Sequence, residues 1–169
     1  VLAKIPISST EELELAVQAA SKAQKEWAKV SIVKRADLIL KLCSRIEERV
    51  EEFALMDTYN AGNAITFARK DVLQAVANMK YFAGLVREVK GETFSMEPKH
   101  LNFSRQQPYG VVLKINSFNR PFRWCAEKLA APILMGNAVI IKNSEQAPIS
   151  SLKFCELLDG LFPDGLINV

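Results

Sequence analysis

The sequence predicts an α/β chain: a helical lead-in, then the start of a parallel sheet that is incomplete at its C-terminal end. Three observations carry this reading. Apolar residues recur every three to four positions through residues 1–91, the period of amphipathic helices. Two apolar runs, Val111-Val112-Leu113-Lys114-Ile115 and Ala138-Val139-Ile140-Ile141, flank a helical stretch, the order of a right-handed βαβ unit. A third apolar run, Leu166-Ile167-Asn168-Val169, follows one more helical stretch, and so few parallel strands do not finish a sheet.

Each element has a local cause. Ser9 with Glu12 three residues on forms a capping box, and the helix behind it sets Leu13, Ala16, Val17, Ala20, Ala23 and Trp27 on one face. Ser31 caps a second helix, with Ala36, Ile39, Leu40, Cys43, Ile46, Val50 and Phe53 inward. Asn60-Ala61-Gly62-Asn63 stops it. A third helix carries Val72, Ala75, Val76, Met79, Phe82 and Val86 and ends before Gly91. These stripes are wider than a coiled-coil seam and read as core-packing faces. Thr93-Phe94-Ser95-Met96 and Leu101-Asn102-Phe103-Ser104-Arg105 alternate around Glu97-Pro98-Lys99-His100, a half-buried strand pair or a strand with a loop. The first parallel strand ends in the turn Asn116 to Pro121, and a helix follows up to Gly136-Asn137. The second strand ends in Lys142-Asn143-Ser144-Glu145-Gln146-Ala147-Pro148, a helix runs from about Ile149 to Leu161, and Phe162-Pro163-Asp164-Gly165 turns into the third strand.

Composition narrows the function classes. The chain has 169 residues, 49% of them apolar and 24% charged, enough for one domain with a real core. A net charge of +3, with Lys and Arg spread among Glu along the helices, gives no footprint for nucleic acid. No apolar run approaches a membrane span. Cys43, Cys125 and Cys155 lack metal-type spacing and read as buried reduced thiols, which suits the cytoplasm. With His100 the single histidine, neither a histidine triad nor a histidine metal site can be assembled within the chain, and no metal is expected.

Parallel sheets bind ligands at the carboxyl ends of their strands, and both polar turns lie there. The chain has no G-x-G-x-x-G and no phosphate loop. On the residues alone the two turns are either a ligand rim or ordinary strand-to-helix connections.

The turns resemble those of the aldehyde dehydrogenase superfamily. There the first turn typically reads T-P-W-N-F-P, and here it is Asn116-Ser117-Phe118-Asn119-Arg120-Pro121. The second typically reads K-P-S-E-Q-T-P, and here it is Lys142-Asn143-Ser144-Glu145-Gln146-Ala147-Pro148. Lys128-Leu129-Ala130, Gly136-Asn137, Asp57 to Gly62 and Tyr81-Phe82-Ala83-Gly84 fit as well, so the resemblance covers essentially the whole chain. It implies a partial NAD(P)-binding domain over 1–169: a helical lead-in (1–91), a strand segment like the family's subunit bridge (92–107) and the start of a Rossmann-like sheet (108–169).

The resemblance also implies roles. Asn119 would be the oxyanion-hole amide, and Lys128 a candidate proton relay. Ile115, Asn116 and Ser117 would line the cofactor through their backbones. Lys142 and Glu145 would bond the adenosine ribose hydroxyls. A carboxylate there repels a 2′-phosphate, which points to NAD, with NADP as the alternative. Arg120 stands where many members carry an aromatic residue facing the aldehyde channel, so it is a candidate for meeting an aldehyde that bears a carboxylate. Ser117, Phe118 and Asn143 depart from the pattern, and the loss of two prolines costs the turns some rigidity.

The family's cysteine nucleophile, glutamate base and Gly-rich turn all lie beyond the matched segment. We therefore expect a chain truncated before the catalytic cysteine and inactive alone. Its intact form would be an NAD(P)-dependent aldehyde dehydrogenase acting on a small-molecule aldehyde as a homo-oligomer, dimer or tetramer. Two other readings stand beside it. One is a non-catalytic truncated relative that pairs through its strands. The other is an acylating cousin, against which Lys142 with Glu145 counts.

Overall fold

The computed structural model describes residues 2–169. Four helices come first: α1 (Thr10–Trp27), α2 (Ile32–Glu47), α3 (Val50–Ala61) and α4 (Ile65–Leu85). A 3-10 turn, Val86–Glu88, leads to an antiparallel hairpin of β1 (Thr93–Glu97) and β2 (His100–Phe103). The α/β part follows as β3 (Val111–Ile115), α5 (Pro121–Glu127), α6 (Ala130–Leu134), β4 (Ala138–Lys142), α7 (Ile149–Leu158) and β5 (Ile167–Asn168). The last three strands form a parallel sheet in the order β3-β4-β5.

Local signals set several ends. Ser9 and Glu12 make the reciprocal capping box of α1, and Ser31 Oγ accepts from the Lys34 amide at the start of α2. Gly62 closes α3 at φ 76°, a left-handed conformation that a side chain disfavours. Only the second half of the α1 stripe is buried, at Ala20, Ala23 and Trp27, whereas Leu13 and Val17 stay exposed. In the second stripe Leu42 is buried and Leu40 is exposed.

Three expectations need correction. The stretch from Ser31 to Asn60 is two helices, because the chain bends at Glu48-Arg49 and swings α3 onto α4. No Gly or Pro marks that bend. Arg49 holds it, 2.6 Å from Glu52 and 3.2 Å from Glu156 on α7. The helix between β3 and β4 is likewise split into α5 and α6. The hairpin is not half-buried: Phe94, Met96, Leu101 and Phe103 all face solvent.

Side chains from other helices reach several helix-end carbonyls, groups for which a helix supplies few partners of its own. Trp27 Nε1 donates to the Ile133 carbonyl at 2.8 Å and Arg35 Nη1 to Leu134 at 2.7 Å. Arg45 Nη1 donates to the carbonyls of Leu157 (2.9 Å) and Asp159 (2.8 Å) at the end of α7. Gly136 follows α6 at φ 86°, a left-handed conformation that favours glycine, with Arg35 Nη1 packed against it. Asn137, also buried, accepts from the Gly110 amide at 3.0 Å and donates to the Pro132 carbonyl at 3.0 Å, which ties the start of β3 to α6.

Candidate functional site

The carboxyl ends of β3 and β4 lie side by side. Ile115 is the register partner of Lys142, and the Asn116 amide donates to the Lys142 carbonyl at 2.9 Å. The buried Asn116 side chain donates to Asn143 Oδ1 at 3.4 Å. Asn143, where the family pattern has proline, thereby adds a link across the turns that proline has no side chain to make. Three residues on, Glu145 Oε2 lies 3.0 Å from Lys142 Nζ, with both side chains open to solvent. Its own backbone amide first, and the Lys142 ammonium second, hold the Glu145 carboxyl below its ordinary range.

Asn119 is exposed and held at three points. Its carbonyl accepts from Asn63 Nδ2 at 3.2 Å. Its Oδ1 accepts from Ser117 Oγ at 2.7 Å and from Trp124 Nε1 at 2.9 Å. Among the described residues its Nδ2 has no acceptor, so the amide's donor edge is free. Lys128 Nζ sits 4.4 Å from the Trp124 ring centroid, and the Arg123 guanidinium lies 5.5 Å from it. Lys114 Nζ donates to the Trp124 carbonyl at 3.3 Å, and burial pushes this lysine down to about 8.

Arg120 turns toward α4. Its guanidinium lies 3.3 Å from Asp71 and 5.1 Å from the Phe67 ring centroid. Arg123 meets the same Asp71 oxygen at 3.1 Å and Glu127 at 2.7 Å. The structure thus brings Ile115, Asn116, Ser117, Asn119, Lys142 and Glu145 to one rim and keeps Lys128 beside it through Trp124. Arg120 shares its charge with a buried carboxylate.

The end of α3 supports both turns. Asp57 is buried, accepts from the Phe122 amide at 3.3 Å and accepts from the Ser150 hydroxyl. Asn60 Oδ1 accepts from the Ile149 amide at 3.0 Å. Neither α5 nor α7 has a side-chain cap of its own, so residues of α3 cap both from outside. Sequence reasoning found Asn60 to Asn63 as a stop signal and missed this second use, and it passed over Trp124. The offset of Asp57, Asn60 and Asn63 by three positions was the one available hint.

Burial pushes Asp57 up to about 6, against the lowering effect of its hydrogen bonds. A raised folded pKa means the native state holds this proton more tightly than the unfolded chain. The contribution is therefore full below the ordinary aspartate value and is lost as pH rises through about 6. We expect wild type to lose on the order of 2–3 kcal/mol relative to Asp57→Asn between pH 4 and pH 7. Urea unfolding of the complete gene product and its variant across that range checks this, and a flat difference would refute it.

None of the cysteines is set up as a nucleophile. Burial pushes Cys43 up to about 11 and Cys125 up to about 12, and Cys155 is raised for the same reason. Among the described residues no group of three His, Cys, Asp or Glu comes together to hold a metal. No described helix is long and apolar enough to cross a membrane. A cleft of about 280 Å³, lined by residues such as Ala28, Arg35, Gly91, Ser104 and Gly136, shares none with the rim.

A parallel sheet with paired polar turns at its carboxyl rim defines an open α/β protein, and that rim is the edge at which such sheets take ligands. The profile of the aldehyde dehydrogenase family matches residues 1–169, and the chain belongs to that family. It is 38% identical over 168 residues to a long-chain-aldehyde dehydrogenase of Acinetobacter sp, covering 98% of this chain and 33% of the relative. It is 36% identical over 173 residues to aldehyde dehydrogenase tropH of Talaromyces stipitatus, covering 100% of this chain and 33% of the relative. The chain thus spans about a third of the length of these curated relatives. Among solved structures, PnpE in complex with nicotinamide adenine dinucleotide superposes with a TM-score of 0.95 at 34% identity, covering 99% of this chain and 35% of that one. Glyceraldehyde-3-phosphate dehydrogenase GapN from Methanocaldococcus jannaschii, complexed with NADP, gives 0.93 at 29% identity, covering 99% and 38%.

Proposed function

We propose that this chain is the N-terminal portion of an NAD(P)-dependent enzyme that oxidises an aldehyde to a carboxylic acid. The observation that carries the reading is the shared rim, where the donor edge of Asn119 and the Lys142–Glu145 pair stand on adjacent strand ends. A ribose diol needs a donor and an acceptor side by side, and the exposed ammonium and carboxylate, 3.0 Å apart, fit that need. Exposed Ile115 and Leu113 add an apolar flank on β3. When bound, NAD supplies the hydride acceptor. Asn119 donates to the oxygen that gains charge as the aldehyde carbon is attacked. Lys128 is a candidate proton relay, steadied over Trp124. The nucleophile and general base are placed beyond Val169, in the part of the family's chain not spanned here.

We further read 92–107 as the segment that bridges subunits of a dimer or tetramer. Its exposed Phe94, Met96, Leu101 and Phe103 support an interface, and they equally suit a non-catalytic relative that pairs by the same strands. The free thiols support a cytoplasmic setting.

The test is NAD and NADP reduction by the complete gene product with a panel of neutral and carboxylate-bearing aldehydes. We expect turnover with NAD. Glu145→Ala should shift the kcat/KM ratio toward NADP by about tenfold, roughly 1.4 kcal/mol. Arg120→Phe should shift preference toward neutral aldehydes, by less than a free arginine would, because Asp71 shares its charge. No turnover with any aldehyde would leave the non-catalytic reading.

A further inference from the structure

We infer that Trp124 is a positioning residue that selects which face of the Asn119 amide meets the substrate, an inference resting on the role proposed for Asn119. A carboxamide is nearly symmetric in shape, and rotating it by half a turn exchanges its oxygen for its NH2. With the NH2 outward, Asn119 stabilises a developing oxyanion. With the oxygen outward, it repels one.

Two neighbours touch the inner atom, and they differ in kind. Ser117 Oγ lies 2.7 Å from Oδ1, but a hydroxyl donates or accepts and would bond either amide orientation. Trp124 Nε1, at 2.9 Å, is a donor only. It bonds the oxygen and would confront an NH2 with an unpaired N–H. The indole is therefore the group that makes the two orientations unequal.

The indole is itself held. Lys128 and Arg123 lie over its ring, at 4.4 and 5.5 Å. Lys114 Nζ donates to the Trp124 backbone carbonyl at 3.3 Å. The ring contacts come from α5 and the residue that ends it, and the bond to the Trp124 backbone comes from β3, so ring and backbone are each held.

The test is a double-mutant cycle in the complete gene product. Trp124→Phe keeps a ring and removes the N–H, and Trp124→Met fills space without one. With Asn119 present, each should lower kcat about tenfold, part of what losing the whole donor costs. KM for the aldehyde and the dissociation constant for NAD should hold. With Asn119→Ala, the same changes should alter kcat by less than about twofold, because no amide is left to orient. Equal losses in both backgrounds would overturn the inference and leave the role of Asn119 intact. A normal kcat for Asn119→Ala alone would instead remove the underlying reading.

Discussion

Asn119→Ala in the complete gene product is expected to lower kcat about 10²- to 10³-fold, roughly 3–4 kcal/mol of transition-state stabilisation. The amide is aimed before any substrate arrives, with Oδ1 held by Ser117 and Trp124 and the carbonyl by Asn63. A donor fixed in advance needs no reorganisation as charge develops, so on the role proposed for Asn119 its removal is expected to act on the chemical step. KM for NAD should stay within about twofold, since Lys142 and Glu145 lie on the neighbouring turn and do not touch Asn119. Steady-state kinetics with the preferred aldehyde makes the measurement. A loss confined to KM would mean that Asn119 binds the ground state only.

Phe122→Ala is expected to destabilise the protein by about 3–5 kcal/mol, the range for emptying a buried phenylalanine site. Phe122 is fully buried, with its ring 4.3 Å from Phe53 on α3 and 5.9 Å edge-on to Phe154 on α7. One side chain thus joins three helices directly behind the Asn119 turn. Its Asp57 bond is made by the backbone and survives the substitution, so the loss reads packing and cavity. Urea titration of the complete gene product gives the value. A cost below about 1 kcal/mol would show that the three rings are not a joint anchor.

What the sequence disclosed was whatever rests on near neighbours. The Ser9–Glu12 box, the Ser31 cap, the left-handed Gly62 and the β3 and β4 runs all follow from patterns within a few residues. The two turns were legible as a rim because strand polarity alone puts them on the same edge. The bend at Glu48-Arg49 was not, because no Gly or Pro marks it and one partner of Arg49 there, Glu156 on α7, is 107 residues away. Nor was the solvent-facing hairpin, since alternation shows that a strand has two faces and not that either is covered. Trp124 escaped notice for a different reason. Its indole bonds a side chain five residues back, across a strand-to-helix turn, a spacing that belongs to no regular element.

The grip of α3 on α5 and α7 has a consequence for how such a rim can drift. Asp57, Asn60 and Asn63 hold the backbone at Phe122, Ile149 and Asn119, and none of the three is proposed to meet cofactor or aldehyde. Placement therefore comes from the end of α3 and the residues just past it, while the groups proposed for recognition stand in the turns. That separation gives the turns latitude. Ser117 and Asn143 stand where the family pattern has proline and Phe118 where it has tryptophan, while the backbone at Asn119 is held by Asn63 from outside the turn. The letters of the turns and the bonds that hold their backbone therefore sit on different residues, so the one set can change without deleting the other.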